Sequence, residues 1–524
     1  MSRILFLVFL FIAQISQAQV KIKGKITDHK NRPIMGISIS IKDSYDGATS
    51  DSLGNYSFST SEKGAQILIA SSSEYNEVNQ PILIENANLE VNFVLKEKIT
   101  QLNAVVISVG TFAAGDQKKG TMLTSLDVVT TASANGDITN AFKTVPGTQQ
   151  VGESEGLFVR GGTAAETKFF IDGSLVNDFF YASQPGMATR GRFNPFLFKG
   201  TTFSSGGYSA LYGQALSSVL LMESIDLPDK TSADFGFSYL GANAGIQKLS
   251  KDKKSSWGVT YSYTNLALVY NLIKQKFDYF RVPVIHQGDL NFRTKTFGSG
   301  MLKYYGVWSH TNVGFRNQDV DSLNMKDAFS LQNLNIYQNL SWKQKLGSGW
   351  LMNASSSYTN NKDNIEVELQ DANNQQQFIN NDPLYAQKNF KVNNKGNYAN
   401  GKIVLDKRIG GINVIRFGGE YNYSNEKNEY IQYDGMHFFR NLNETILSAF
   451  AETDIYLTKD FAAKIGVRTE HSAMLQKWNI APRISLAYQF PNKGQVSAAY
   501  GIFYQNPENK YLPSVDLLHF QKAT

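Results

Sequence analysis

One short segment in the second half of the chain concentrates side chains that suit ligand binding. YIQYDGMHFFR contains the aromatic residues Tyr430, Tyr433, Phe438 and Phe439 and ends on Arg440. Aromatic rings and a guanidinium group attract planar or anionic molecules, so these residues are candidate contacts for a ligand such as an iron chelate. The same residue types also form the aromatic girdle of a membrane interface, and the sequence leaves both interpretations open.

Catalytic and metal-binding chemistry has little support elsewhere in the sequence. The six histidines form no HExxH or HxxE pattern, which argues against a zinc peptidase. Asp319, Asp321 and Asp327 are close enough in sequence to bind a cation, but we expect a solvated acidic loop. No glycine-rich phosphate loop, nucleophile elbow or pair of carboxylates stands out. We therefore predict that the chain is not an enzyme and has no resident metal or other cofactor.

Composition and the N-terminal residues limit the class of protein. The chain has 524 residues and a formal net charge of +6, which gives no indication of nucleic-acid binding. The 34 Phe, 26 Tyr and 42 Gly favour β-structure, and the absence of Cys excludes disulfides. Residues 1–18 have a positive start, an apolar run and a small-residue cleavage site, which predicts a signal peptide. No later apolar run reaches the ~20 residues of a transmembrane helix, so the mature chain is soluble or crosses a membrane as a β-barrel.

The segments that must position these residues differ in character. Residues 19–97 contain short alternating strands separated by Gly, Asp, Asn and Pro, which predicts an immunoglobulin-like β-sandwich. Residues 98–118 form a linker that contains the β-prone stretch AVVISVG, from Ala104 to Gly110. This stretch is either an edge strand of the first domain or a strand that pairs with the sheet of a partner.

A mixed α/β segment at 119–228 contains a compact element with glycine corners. Its central stretch is LFVRGGTAAETKFFIDGSLV. Gly161 and Gly162 allow the backbone to turn tightly where a side chain would clash. Asp172 and Gly173 lie between two apolar runs and predict a hairpin with a type I′ turn, because that turn needs positive φ at both central residues.

From residue 229 to 524 the sequence alternates between apolar and polar residues. In one predicted strand Trp257, Val259 and Tyr261 share a face, and Thr260 lies on the other. Strands of about ten residues with one apolar and one polar face are typical of a transmembrane barrel with lipid outside and water inside. Short turns alternate with long polar loops, which we place near residues 265–283, 311–332, 360–384 and 425–444.

These segments together resemble the TonB-dependent outer-membrane receptors. Residues 19–97 resemble the carboxypeptidase-regulatory-like domain, an immunoglobulin-like module without catalytic activity. Residues 119–228 resemble the plug domain of the family. The matching plug residues are Arg160, Gly161, Gly162, Asp172, Gly173, Tyr208, Tyr212 and Gly213.

The resemblance implies a mainly β fold with an N-terminal sandwich, an α/β plug domain and a transmembrane antiparallel barrel at 229–524. It implies that the plug fills the barrel lumen and that Arg160 faces polar lumen groups, where a guanidinium can make several hydrogen bonds. The β-prone stretch of the linker lies where the family carries its TonB box. The expected box residues are Ala104, Val105, Val106, Ile107, Ser108 and Val109.

The implied function is active uptake across the outer membrane. A scarce ligand binds the outer loops and the plug, the box pairs with TonB, and the energising complex of the inner membrane supplies the energy. The expected partners are therefore TonB with that complex, outer-membrane lipid and a small ligand. A ferric siderophore is the first expectation for the ligand, and cobalamin, oligosaccharide and peptide remain open. A ligand-sensing receptor that signals to a regulator and a passive porin are the alternative functions.

The predicted barrel departs from the family pattern in its length. We count about fourteen candidate strands, whereas barrels of this family have about twenty-two. The last residue, Thr524, is not the aromatic residue on which outer-membrane barrels commonly end. An open sheet leaves unpaired edges that lipid cannot satisfy. We therefore expect a C-terminally truncated chain with a partial barrel.

Overall fold

A computed structural model gives the fold of the protein. It describes residues 20–508 and 512, apart from residues 29–30, 43, 45, 73–74, 76, 86, 96–120, 150–155, 183–189, 276–277, 298–299, 380, 411–412, 459 and 491–494. Two compact units make up the chain, one before and one after residue 106. Each unit is described by itself.

The first unit is a β-sandwich. Its strands are β1 Val20–Asp28, β2 Ser38–Ile41, β3 Gly47–Thr49, β4 Asn55–Thr60, β5 Gly64–Ser71, β6 Val78–Ile84, β7 Leu89–Glu90 and β8 Phe93–Leu95. One sheet has the order β4-β1-β7, with β8 also paired to β1, and the other has the order β3-β2-β5-β6. Alternate residues such as Ile22, Ile39 and Leu68 are buried in one core. The predicted immunoglobulin-like sandwich is confirmed.

The second unit begins with an α/β domain at Thr121–Ser224, which we call the plug. Its elements are β9 Thr121–Leu123, α1 Ser125–Thr130, α2 Ile138–Phe142, β10 Thr148–Gln149, β11 Phe158–Val159, β12 Thr167–Ile171, β13 Ser174–Val176, β14 Phe198–Ser204 and β15 Ser218–Ser224. Short 3-10 helices lie at Ala164–Glu166 and Pro195–Leu197. Five of the strands form one sheet in the order β13-β12-β15-β14-β9.

The rest of the second unit is a thirteen-stranded sheet, which we call the barrel sheet. Each strand pairs with the next in an antiparallel meander. The strands are β16 Ser232–Ser238, β17 Gly241–Leu249, β18 Ser255–Asn265, β19 Asp278–Lys295, β20 Met301–Gln318, β21 Met325–Gly347, β22 Trp350–Asp371, β23 Phe390–Gly410, β24 Asn413–Ile431, β25 His437–Tyr456, β26 Phe461–Ser472, β27 Lys477–Gln489 and β28 Gln495–Gly501. Two short helices, α3 Ala267–Leu272 and α4 Pro383–Ala386, lie in its connections. The partial barrel is confirmed, with thirteen strands in the described part of the chain against the predicted fourteen or so.

The strands are longer than the sequence predicted. β21 has 23 residues and β22 has 22, compared with the ten or so that we expected. Much of the predicted loop regions is therefore strand, because regular pairing continues through their polar residues. For example, 311–318 belongs to β20 and pairs with β21. Among the described residues, no helix is both long and apolar enough to cross a bilayer.

The two faces of the barrel sheet differ as predicted. In β26, Lys464 and Arg468 are buried, whereas Ile465 and Val467 are exposed. The face that carries the buried polar residues contacts the plug, and we call it the lumen face. The opposite face is apolar and is called the outer face. Tyr305, Val307 and Tyr337 on the lumen face pack into the apolar core of the plug.

Candidate functional site: contacts between the plug and the lumen face

The predicted hairpin of the plug is present between β12 and β13. Asp172 has φ 49° and Gly173 has φ 93°, so both central residues have the left-handed conformation of a type I′ turn. The hairpin register places Ile171 opposite Ser174. The turn thereby fixes the position of the Asp172 carboxylate next to the lumen face.

Asp172 belongs to a group of charged residues that we call the hairpin attachment. Its carboxylate accepts hydrogen bonds from the backbone N–H of Ser224, at 2.9 Å, and from the Ser224 hydroxyl, at 2.5 Å. Lys303 of the barrel sheet donates to the Ser224 carbonyl at 2.8 Å and lies 4.0 Å from Asp172. The hairpin is therefore attached both to the neighbouring plug strand and to the barrel sheet.

Asp226 extends the hairpin attachment just after the last plug strand. Its carboxylate oxygens lie 2.8 Å from Nζ of Lys303 and 2.7 Å from Nζ of Lys199. Burial alone would raise the pKa of Asp226 above the ordinary 3.8, but the two ammonium groups outweigh that effect and hold the pKa at about 2. Asp226 is therefore charged at neutral pH and links the plug to the barrel sheet.

The second group of contacts, which we call the turn attachment, holds the plug turn from Tyr208 to Gly213. Arg483 of β27 donates to the carbonyl oxygens of Tyr208 at 3.2 Å and Tyr212 at 2.9 Å, and also to that of Ser209. A single guanidinium thus satisfies three backbone carbonyls, which its planar array of donors permits.

Two further barrel cations complete the carbonyl contacts of the turn. Arg468 lies 3.5 Å from the Ala210 carbonyl and 3.4 Å from the Leu211 carbonyl, and Lys402 also donates to Leu211. Glu452 supplies the opposite charge and accepts hydrogen bonds from the Ser209 hydroxyl and the Ala210 N–H. The plug contributes mainly backbone groups here, and the barrel sheet contributes all the charges.

The charges of the turn attachment balance one another within the barrel sheet. Arg468 donates to Glu470 at 2.6 Å and to Glu420 at 2.9 Å, and its side chain is 1% exposed. Buried charges persist only when they are paired and hydrogen-bonded, and these residues meet both conditions. Gly213 packs directly on this cluster, where an added Cβ would collide with Glu470 and Arg468. This close approach explains why the residue at position 213 is glycine.

Among the described residues, Arg160 makes no hydrogen bond to the lumen face, in contrast to what the resemblance implied. Its side chain is exposed, and its backbone lies in the left-handed region with φ 51°. The plug arginine that reaches the lumen face is Arg192, which donates to Ser309 at 2.6 Å and to Asn333 at 3.2 Å. Arg192 follows the turn-prone residues Pro185, Gly186 and Gly191, but no pattern of residue types marks its side chain as one that reaches the lumen face.

The predicted ligand-contact segment forms the end of the β24–β25 hairpin rather than a long loop. Tyr430 and Phe438 are paired across the hairpin, and their ring centroids lie 6.4 Å apart. Arg440 donates to Asn428, its partner across the hairpin, at 3.2 Å. Tyr430, Phe438 and Arg440 all lie on the lumen face. Two predicted residues lie elsewhere: Phe439 stacks on His437 on the outer face, and Tyr433 lies in the turn.

Asparagines dominate the lumen face from the plug contacts of Asn333 and Asn400 to this hairpin. Asn333 and Asn335 of β21 both donate to Asn361 of β22, at 2.9 and 3.0 Å. Further along the sheet Asn428 donates to Asn394 at 2.6 Å. We call this surface the amide wall, and its residues are Asn333, Asn335, Asn361, Asn394, Asn400, Asn422 and Asn428. Side-chain amides both donate and accept hydrogen bonds without adding charge.

Two of the three acidic residues that we expected in a solvated loop, Asp319 and Asp321, are paired instead, and the third, Asp327, lies in β21. Asp319 is buried and, with Asp321, contacts the ammonium group of Lys388 from the β22–β23 connection. No cluster of three or more metal-binding side chains occurs in the described part of the chain. The expected TonB box, Ala104 to Val109, lies outside the described residues.

The barrel residues of the turn attachment are not among the site residues predicted from the sequence. The alternating pattern predicts no more than a polar lumen face for these residues, which are Lys402, Glu420, Glu452, Arg468 and Arg483. A signal was present, because Arg468 and Glu470 place opposite charges on the same face of one strand. That pattern indicates a paired cluster, but it does not identify the plug backbone as the partner.

Comparisons with known proteins agree with this architecture. Residues 22–107 match the family model of the CarboxypepD_reg-like domain, and residues 123–219 match that of the TonB-dependent receptor plug domain. Residues 260–515 match the model described as TonB dependent receptor-like, beta-barrel. No curated protein matches the chain.

Several solved structures share the fold at low sequence identity. The chain is similar to a mutant of the ferric enterobactin receptor PfeA from Pseudomonas aeruginosa, with 14% identity and a TM-score of 0.52. The match covers 77% of this chain and 64% of the PfeA chain. The outer membrane transporter YddB from Escherichia coli shows 12% identity and a TM-score of 0.53, covering 74% of this chain and 61% of that one.

The siderophore receptor PirA from Acinetobacter baumannii shows 12% identity and a TM-score of 0.51, with 74% of this chain and 61% of that chain covered. This chain thus spans less than two thirds of the length of the structures that it matches. The family matches, the plug and the barrel sheet together show that this chain belongs to the TonB-dependent receptors of the outer membrane and carries a carboxypeptidase-regulatory-like domain.

Proposed function

We propose that the protein takes up a scarce ligand across the outer membrane in a TonB-driven cycle. The observation that supports this proposal is the way the plug is held: both attachments to the lumen face are ion pairs and hydrogen bonds. Such contacts exchange with water at a small net cost, since each typical hydrogen bond contributes only ~1 kcal/mol. Apart from the apolar contacts of Tyr305, Val307 and Tyr337, a plug held in this manner can move within the lumen without losing its own apolar core.

The TonB box at Ala104 to Val109 would couple this movement to TonB. A β-prone segment binds a partner by adding a strand to its sheet, with affinity from main-chain hydrogen bonds. Pulling on the box would load the plug, and the hairpin and turn attachments would resist that force. In this scheme the protein binds and moves groups and makes no covalent bond.

An iron chelate is the first candidate for the ligand. Tyr430, Phe438 and Arg440 lie on one face, at the open end of the lumen beyond the plug. Two rings and a guanidinium would contact a planar or anionic chelate. The solved structures with a similar fold include receptors described as ferric enterobactin and siderophore receptors, which agrees with this candidate.

An oligosaccharide is the second candidate, and the amide wall favours it. Neutral side chains that donate and accept hydrogen bonds match the hydroxyl groups of a sugar. Asp363 and Glu426 add acceptors on the same face, through contacts with Asn333 and Tyr398. An anionic chelate would meet few cations along this part of the wall.

Uptake assays with a box deletion would test the proposal. Cells that produce the protein are supplied with radiolabelled ferric enterobactin or with a labelled neutral oligosaccharide, and both binding and uptake are measured. We expect deletion of 104–110 to abolish uptake and to leave binding unchanged. A passive porin would be indifferent to the deletion, so continued uptake would contradict the proposal.

Variants on the lumen face distinguish the two ligands. Arg440→Gln should reduce binding of the chelate at least tenfold and affect the oligosaccharide little. Asn361→Leu should have the opposite selectivity, because it removes amide hydrogen bonds and leaves the rings and the guanidinium in place. Arg408→Gln, at an exposed arginine beside a short turn, is a matched control that should change neither.

A further inference from the structure

The segment that follows β28 leaves the barrel sheet and lies against the plug. It comprises residues 502–508, and we call it the strap. The N–H of Ile502 still donates to the Pro482 carbonyl of β27, at 3.0 Å. The strap forms neither helix nor strand, so its side chains and single backbone groups hold it in place.

The ring of Phe503 joins the strap to the turn attachment. Its centroid lies 4.7 Å from that of the Tyr208 ring, at the start of the plug turn. The Arg483 guanidinium carbon lies 4.5 Å from the Phe503 centroid and 4.9 Å from the Tyr208 centroid. Aromatic faces attract a cation in this position. Because Arg483 also donates to three carbonyls of the plug turn, the strap covers the cation on which that turn depends.

Hydrogen bonds attach the strap to two further parts of the plug. The Gln505 amide donates to the Ala165 carbonyl at 2.9 Å, and the backbone N–H of Asn506 donates to the Gln214 side chain at 2.9 Å. Gln214 in turn donates to Glu470 of the turn attachment at 2.8 Å. The backbone of Gln214 has φ 58°, a conformation that residues other than glycine keep only when their surroundings hold them. The strap therefore supports the residue that follows the plug turn.

The side chain of Asn506 contacts the barrel sheet instead of the plug. Its Nδ2 donates to Glu444 of β25 at 2.9 Å and to Ser472 of β26 at 3.1 Å. The Glu444 carboxylate also accepts from the Ser472 hydroxyl at 2.8 Å and from the Met474 N–H at 3.2 Å. Asn506 thus bonds the plug through its backbone and the barrel sheet through its side chain.

The barrel end of the strap lies on the same strand face as the proposed ligand contacts. Arg440, Leu442 and Glu444 are alternate residues of β25, and all three are on the lumen face. Leu442 packs with Met474 and with Leu512, which follows the strap. Arg440 and Glu444 are ~14 Å apart at ~3.4 Å per residue. A ligand on Arg440 that extends this far along the lumen face therefore meets the residue to which the strap is attached.

We propose that the strap couples ligand binding to release of the plug. In the empty lumen the strap holds the plug turn through Phe503 and Gln214. A ligand that contacts Arg440 competes with Asn506 for Glu444, and loss of that bond loosens the turn attachment. The ligand shifts the equilibrium because it binds better once Asn506 has left. The inference rests on the proposed uptake and adds its regulation, since plug movement then depends on an occupied lumen.

Hydrogen–deuterium exchange of the full chain in lipid vesicles tests the coupling without a ligand. Asn506→Ala removes the side-chain bonds to the barrel sheet and keeps the backbone bond to Gln214. We expect amide exchange in 208–213 to rise at least tenfold. Exchange in 171–174, at the hairpin attachment, should stay the same and shows that the plug is folded. Asn373→Ala, at an exposed asparagine of the β22–β23 connection, is the matched control and should change neither segment.

A second variant changes the barrel side of the same contact. Glu444→Gln keeps the shape of the side chain and removes its charge, so we expect a smaller rise of exchange in 208–213. Exchange in this segment that is equal in Asn506→Ala and the unchanged chain would overturn the inference. So would a rise that is as large in 171–174, because the change would then loosen the whole plug.

Cross-linking follows the strap when a ligand is added. The chain has no cysteine, so in a variant with Ala165→Cys and Gln505→Cys a short methanethiosulfonate cross-linker joins only the plug and the strap. We expect ferric enterobactin or the neutral oligosaccharide, whichever binds, to slow the cross-link at least fivefold. Ser330→Cys with Glu366→Cys, a pair across β21 and β22, is the control pair and should react at an unchanged rate.

The outcomes separate this inference from the proposed function. A probe that binds and enters the cell without slowing the cross-link would overturn the inference and leave the uptake in place. If neither probe binds or enters cells that produce the unchanged chain, the uptake proposal fails for both ligands. The exchange of 208–213 in Asn506→Ala then decides by itself whether the strap holds the plug turn.

Discussion

The hairpin attachment and the turn attachment hold the same plug by different means. At the hairpin, plug carboxylates of Asp172 and Asp226 meet the barrel cation Lys303, and one of them remains half exposed to solvent. At the turn, buried barrel cations meet backbone carbonyls of the plug. The difference teaches that the hairpin attachment depends on charged plug side chains, whereas the turn attachment depends mainly on the plug backbone.

Because of this difference, the two attachments should tolerate different salt concentrations and pH values. A half-exposed ion pair weakens with salt and with acid, since solvent screens it and protonation removes one charge. A buried cation on a carbonyl is screened little by salt, because solvent does not reach it. We therefore expect the hairpin attachment to yield first when conditions change and the turn attachment to yield last.

Removing the central cation of the turn attachment should have the largest effect. Arg468→Met leaves Glu420 and Glu470 buried without their partner, which costs about 3–5 kcal/mol of unfolding free energy. Urea unfolding of the full chain in lipid vesicles measures this loss. Arg408→Met, at an exposed arginine, is the control and should change stability by less than about 0.5 kcal/mol. A loss below about 1 kcal/mol at Arg468 would show that the cluster does not depend on that charge.

Changing the backbone contact at the turn should have the next largest effect. Gly213→Ala introduces a Cβ against Glu470 and Arg468, and we expect a loss of about 1–3 kcal/mol from overpacking. Gly401→Ala is the matched control, because its Cβ meets open space. The same unfolding assay applies, and an equal response of the two variants would show that the turn does not pack closely on the cluster.

Removing a plug side chain from the turn attachment should have a smaller effect. Ser209→Ala loses one hydrogen bond to Glu452, which costs about 1 kcal/mol, while the carbonyl contacts remain. Glu452→Gln changes a charge of the barrel sheet, and we expect a larger loss in the same assay. If Ser209→Ala were the more damaging change, side chains of the plug and not its backbone would carry the turn attachment.

The smallest effect should come from acidification at the hairpin attachment. Because the pKa of Asp226 is about 2 in the folded protein and 3.8 ordinarily, its contribution to stability is present above pH 4. It is lost as the pH falls through about 2, since protonation breaks the pairs with Lys199 and Lys303. Asp226→Asn should lack this part of the pH dependence when unfolding is followed from pH 7 to pH 2. An unchanged profile would mean that Asp226 does not stabilise the plug.

Some of this architecture follows from the sequence and some does not. The alternation of Ile465 and Val467 with Lys464 and Arg468 predicts the two faces, because side chains alternate along any strand. The positive φ at Asp172 and Gly173 follows from their residue types. The turn attachment cannot be predicted in this way. Every residue has a backbone carbonyl oxygen, so residue types do not show which carbonyls the barrel cations contact.

The lengths of the strands were also beyond the sequence pattern. A strand with water on both faces is as rich in polar residues as a loop, so composition does not distinguish the two. Residues 311–318 are polar enough to indicate a loop, yet they pair fully with β21. Pairing depends on the neighbouring strand, and a single strand's composition does not report it.

The 23-residue strand β21 has a consequence for how a ligand arrives. At ~3.4 Å per residue and a tilt of ~40°, it rises ~60 Å, about twice the thickness of the hydrocarbon layer. The approach to the plug is thus bordered along this sheet by a stiff wall of hydrogen-bonded backbone and not by a fringe of loose loops. Such a wall keeps its shape when a ligand arrives, whereas loose loops would have to rearrange.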